Sequence, residues 1–168
     1  MRFKFNSVKP TKVSKEEIRA ICHACDTILS YHGKAPTKNV ISVNFKTKVI
    51  HKGKSDWSGL AYRQIAEFEA KKSLPYEDMV TTILHEMIHL YIPFSDKIEK
   101  KTSTLTAKLK PDVVRLANIL VENTYKRAAY VAHCSISYGK VDEDHYDDAQ
   151  WKRTGEDRKG KKYQRGSK

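Results

Sequence analysis

The chain has 168 residues, 39% of them apolar and 31% charged, which suits one globular domain and excludes a wholly disordered chain. Its 32 Lys+Arg against 20 Asp+Glu give a net charge of +12, which favours anionic partners. No apolar run approaches the roughly 18 residues of a membrane-spanning helix. The first residues, Met1-Arg2-Phe3-Lys4-Phe5, hold no apolar signal core, and three cysteines make no disulfide framework, so a reducing cytoplasmic setting is expected.

The alternation of Arg2, Phe3, Lys4 and Phe5 predicts a short strand within 2–8. Ser14 and Glu17 read as a capping box, and Ile18, Ile21, Cys22, Cys25, Ile28 and Leu29 then recur at helical spacing until Gly33 and Pro36. Residues 39–50 set Ile41, Val43 and Phe45 against Ser42, Asn44 and Lys46, the pattern of a half-buried strand. After a turn region from Gly53 to Gly59, residues 57–63 and 65–70 each read as a strand. Pro75 opens a second helix, with Glu77 and Asp78 at its positive end and Val80, Ile83, Leu84, Met87, Ile88 and Tyr91 on its apolar face. Pro93 stops it. Residues 94–110, rich in Lys, Ser and Thr, read as irregular, and Pro111 is expected to open a third helix running to about Ala132. An acidic cluster (Asp142, Glu143, Asp144, Asp147, Asp148) surrounds His145. The expected organisation is one domain over 1–151 and a basic, disordered tail over 152–168, where eight Lys/Arg against two acids hold half of the net charge.

Chemistry concentrates in residues 85–89, His-Glu-Met-Ile-His, an H-E-x-x-H motif inside the second helix. Residues four apart share a helix face, so His85 and His89 can hold one Zn²⁺ ion between them. Glu86 is turned about 100° from His85. It can therefore act as general base toward a metal-activated water without being a ligand. A catalytic zinc takes three protein ligands and keeps one open position. Among the candidates for the third, His145 ranks first, since neighbouring carboxylates can orient its ring. His133, Glu122 and Asp112 follow. Tyr125, Tyr130 and Tyr146 are candidate donors for the developing oxyanion. Cys22 and Cys25 form a C-x-x-C, but inside a helix stripe and without a second pair, which makes them small buried hydrophobes rather than a redox or zinc motif. His23 and His32 read as surface residues.

The order helix, strand, Ser58-Gly59-Leu60-Ala61-Tyr62, a further extended stretch and then TTILHEMIHLY at 81–91 resembles the SprT-like (Spartan-like) zinc metalloproteases over roughly residues 14–92. That family includes enzymes that cleave proteins crosslinked to DNA. The resemblance implies an α+β, minimal zincin fold, a small mixed sheet packed against about three helices, with the H-E-x-x-H helix beneath an edge strand that binds peptide by strand addition. Residues 65–70 would be that strand. It also implies His85 and His89 as zinc ligands and Glu86 as general base. The family's third histidine has no counterpart at 90–110, where no histidine occurs, and its zinc ribbon is missing.

The expected function is therefore that of a zinc-dependent metalloprotease acting on a protein or peptide substrate, with no membrane partner. The alternative is a basic nucleic-acid-binding or interaction protein with a structural or inactive zinc site. Its tail residues Lys152, Arg153, Arg158, Lys159, Lys161, Lys162 and Arg165 would make salt-sensitive phosphate contacts. A weaker third reading is a metal-dependent hydrolase of a non-peptide substrate.

Overall fold

A computed structural model describes residues 1–93 and 99–138, with side chains up to residue 130. The strands are β1 (Arg2–Phe5), β2 (Val40–Lys46), β3 (Val49–His51), β4 (Lys54–Trp57), β5 (Gly59–Tyr62) and β6 (Glu67–Lys71); the helices are α1 (Lys15–Leu29), α2 (Tyr76–Tyr91) and α3 (Glu99–Tyr138). This is a mixed α+β fold with three helices and a small mixed sheet among the described residues, as the sequence predicts. Among the described residues, no helix is long and apolar enough to cross a membrane.

The main sheet has the order β1-β2-β6-β5, with β1, β2 and β6 parallel and β5 antiparallel to β6. Period-two alternation sends Ile41, Val43 and Phe45 of β2 into the core, and the register sets Val43 beside Phe68 and Phe45 beside Ala70 on the same face. The opposite face is polar: the Asn44 amide donates to Glu67 at 2.7 Å and Lys46 pairs with Glu69. Past the end of β1, Asn6 substitutes for a strand residue, its amide donating to the Phe45 carbonyl at 3.0 Å while its oxygen accepts the Phe45 N–H at 3.0 Å.

Helix α1 begins with the expected reciprocal cap, Ser14 Oγ accepting the Glu17 N–H and the Glu17 carboxylate accepting the Ser14 N–H. It ends at Leu29, earlier than the Gly33-Pro36 signal suggests. Its buried stripe includes Ile18, Ile21, Cys22, Cys25 and Leu29, and burial pushes both thiols well up. The cysteines are thus unreactive core residues. Buried Tyr91, at the end of α2, donates its hydroxyl to Asp26 of α1 at 2.6 Å and so pins the two helices at one point.

Several boundaries differ from the sequence reading. The expected strand at 39–50 is two strands, and 57–63 divides into the end of β4 and β5. The β3–β4 hairpin turns on Lys52 (φ 51°) and Gly53 (φ 75°), two consecutive left-handed residues of the kind a two-residue hairpin loop requires. The expected strand at 65–70 begins only at Glu67: Arg63–Ile65 form a single 3₁₀ turn closed by Ala66 at φ 52°. That strand is also not the edge, because β6 lies between β2 and β5, and the edge beside α2 is β5. Residues 99–110 are helical rather than irregular, so Pro111 lies inside α3 instead of opening it.

The chain divides into two compact units, Met1–Leu120 and Val121–Lys168, with the division inside α3. The sheet, α1, α2 and the first part of α3 form the first unit. In the second, Glu122 and Lys126 pair at 2.8 Å one turn apart. The acidic cluster and the tail expected at 152–168 lie outside the described residues.

Candidate metal centre

Helix α2 buries Leu84, Met87 and Ile88 against the core, which turns His85 and His89 toward a cleft of about 650 Å³ between α2, β5 and the β3–β4 hairpin. The two imidazoles meet through their Nε2 atoms at 3.2 Å. Glu99, exposed in the first turn of α3, brings one carboxylate oxygen to 2.6 Å from His85 Nε2 and the other to 3.5 Å from His89 Nε2. Among the described residues these three side chains form the one group able to hold a metal ion. Tetrahedral zinc with ligands at about 2.0–2.1 Å separates its donor atoms by roughly 3.3 Å, close to the 3.2 and 3.5 Å separations from His89 Nε2, while the 2.6 Å contact of His85 with Glu99 has the length of a hydrogen bond. Lone-pair atoms packed this tightly repel unless a proton or a metal cation lies among them; protons serve in the metal-free protein, and the same two imidazoles and carboxylate are donor types that could hold zinc.

Glu86 is 7% exposed and lies on the cleft side of α2 against β5. Burial, and then the negative charge of Glu99, push its carboxyl up to about 8, while a hydrogen bond from the Ala61 N–H acts in the opposite direction. Burial likewise holds His85 below the ordinary histidine range, offset by Glu99. A neutral imidazole is the form that binds a metal.

Gly59 makes room for Glu86. A Cβ there would stand 2.6 Å from Thr82 Cγ2 and 2.9 Å from both Glu86 Cγ and Glu86 Oε1. Gly59→Ala is therefore expected to push the Glu86 carboxylate out of place. Overpacking of this kind destabilises by about 1–3 kcal/mol. We expect at least a tenfold loss of any hydrolytic rate with zinc content unchanged, to be checked by metal analysis beside rate measurement; unaltered kinetics would refute this role for Gly59.

His85, His89 and Glu86 thus come together as the sequence predicts, but the third donor in the cleft is Glu99, which the sequence reading passed over. Asp112 instead lies exposed in an i,i+3 pair with Arg115 at 3.5 Å, and Glu122 is engaged with Lys126. His145 and the side chain of His133 lie outside the described residues, as do Lys152, Arg153, Arg158, Lys159, Lys161, Lys162 and Arg165. Of the tyrosines, Tyr125 and Tyr130 belong to the second unit and Tyr146 lies outside the described residues.

Comparison of the chain with protein-family models, with curated proteins and with solved structures finds no match. The functional reading therefore rests on the residues of the cleft.

Proposed function

We propose that the chain is a zinc-dependent metallopeptidase on a minimal zincin plan, with His85, His89 and Glu99 as metal ligands and Glu86 as general base. The convergence of those three donors beside a buried carboxylate carries this reading. Three protein ligands leave a coordination position free, the mark of a catalytic rather than a structural zinc. When bound, the ion supplies Lewis acidity, lowering the pKa of bound water to roughly 7 and polarising a substrate carbonyl. Glu86 takes the proton of the attacking water and delivers it to the amine nitrogen as the peptide C–N bond breaks.

Strand β5 supports a peptide as the substrate. In an antiparallel ladder alternate residues turn their backbone groups toward the partner strand. Ser58 accepts from the Lys71 N–H at 2.8 Å, which assigns Ser58, Leu60 and Tyr62 to β6 and turns Gly59 and Ala61 outward to the cleft, where the Ala61 N–H is already held by Glu86 and the Gly59 backbone and Ala61 carbonyl are the groups a peptide can pair with. An extended peptide added along that edge passes over His85 and Glu86. The nucleic-acid contact of 152–168 is a separate part of the proposal and rests on the sequence.

The protein is expected to hold one zinc per chain and to cleave an unfolded substrate such as casein, with activity lost to a chelator and restored by zinc. Failure to bind zinc would overturn the proposal. Zinc binding with hydrolysis of non-peptide amides only would replace the peptidase reading with that of another metallohydrolase.

A further inference from the structure

Glu99 does not stand alone on its helix. With Thr102, Thr106 and Leu109 it forms one stripe along the first turns of α3, and the two threonines are among the few polar residues buried among the described residues, at 1% and 3% exposure. Thr106 Oγ1 lies 2.8 Å from the Thr102 carbonyl oxygen and 3.4 Å from His85 Nδ1. A carbonyl only accepts, so the single hydroxyl proton of Thr106 is committed to Thr102. Only lone pairs then remain to face the imidazole, and the contact with His85 is satisfied when Nδ1 carries the proton. A carboxylate only accepts, so without metal the 2.6 Å contact of Nε2 with Glu99 also holds a proton; a metal ion displaces that proton, leaving Nε2 to the ion and Nδ1–H to Thr106.

We propose that Thr106 is a positioning residue of the metal centre, fixing His85 in the Nδ1–H tautomer that presents Nε2 to the ion. Resting on the metallopeptidase reading, the proposal adds a residue in contact with neither metal nor substrate. It makes the first turns of α3 a two-part device: Glu99 supplies a ligand, and Thr106, two turns on, orients another ligand across the helix interface. A carboxylate or backbone carbonyl is the usual partner for the outer nitrogen of a metal-bound histidine. Here a hydroxyl becomes such an acceptor because Thr102 consumes its donor.

The test uses the full-length protein and zinc alone. Thr106→Val keeps the shape and removes the hydroxyl, Thr106→Ser keeps the hydroxyl, and zinc affinity is read by competition with a chromophoric chelator. Loss of this kind of outer partner lowers metal affinity about 10–100-fold. Thr106→Val is thus expected to bind zinc at least tenfold more weakly and Thr106→Ser within about threefold of wild type, with equal thermal stability of all three metal-free proteins. In the zinc-loaded wild type the His85 Nδ1–H resonance should be slow to exchange with water, and in Thr106→Val it should be lost to exchange. Equal zinc affinity of Thr106→Val and wild type, or a rapidly exchanging Nδ1–H in wild type, would overturn the proposal. Should Thr106→Val fail to fold, weak binding by Thr106→Ser would likewise overturn it. A wild type that binds zinc tightly but cleaves nothing would instead count against the peptidase reading and leave this one standing.

Discussion

Replacing Glu86 by Gln is expected to lower peptide cleavage by about 10²–10⁴-fold, the span that positioned proton transfer contributes, while leaving one zinc bound. The amide has the shape of the carboxylic acid, so the packing against Gly59 survives, but it cannot take a proton from water. The same substitution should stabilise the metal-free protein. Glu86 is buried beside another carboxylate, and its folded-state pKa is raised from the ordinary 4.5 to about 8. Between those values the folded metal-free chain retains a proton that the unfolded chain releases, so stability falls as pH rises through that window. Gln has no such titration. The melting temperature of metal-free Glu86→Gln should therefore exceed that of wild type by a margin that is small near pH 4.5 and widens toward pH 8. A margin that stays constant over that range, or cleavage at the wild-type rate by a folded Glu86→Gln protein, would contradict the assignment. A residue that lowers stability where it serves activity is a familiar compromise at catalytic sites.

Glu99→Gln is the second substitution expected to have a large effect. An uncharged amide is a poor zinc ligand, and its loss leaves two histidines, fewer than a catalytic site needs. Zinc affinity should drop by at least about 100-fold, beyond the effect of an outer-sphere partner, and activity should fall with it and return in part at high zinc. His145→Ala is the matched control, expected to bind zinc as wild type does. Equal affinity of Glu99→Gln and wild type, with weakened binding by His145→Ala, would transfer the third position back to His145. Chelator competition on the three proteins decides between them.

Two helices were legible in the sequence because their signals are local. The Ser14–Glu17 cap and the apolar stripe of α1 depend on neighbours three or four residues away, as does the placing of His85 and His89 on one face of α2. The start of α3 was hidden because its buried stripe is made of Thr102 and Thr106 before Leu109, so no apolar periodicity announces it. Pro111 then imitates a helix start. Its ring is accommodated within α3 instead. With that helix unseen, Glu99 had no visible reason to point anywhere. A Glu-x-x-Thr-x-x-x-Thr spacing soon after an H-E-x-x-H was the one available signal. The strands fared worse, because β3, β4 and β5 are three or four residues long and their pairing depends on partners elsewhere in the chain. A buried middle strand and a half-exposed edge strand both read as short extended runs, which is why the edge was assigned to 65–70 instead of β5.

The position of Glu99 has a consequence for chain entropy. Residue 99 follows His89 by ten positions, residue 145 by fifty-six. The cost of closing a chain grows with the logarithm of the length closed, so a ligand ten positions on ties the chain at a small entropic cost. A ligand supplied from so near also ties the end of α2 to the start of α3 each time the ion binds. Zinc would then act as a short-range staple between consecutive helices, and its removal should raise hydrogen exchange first at the end of α2 and in residues 99–106 of α3, ahead of the parallel strands.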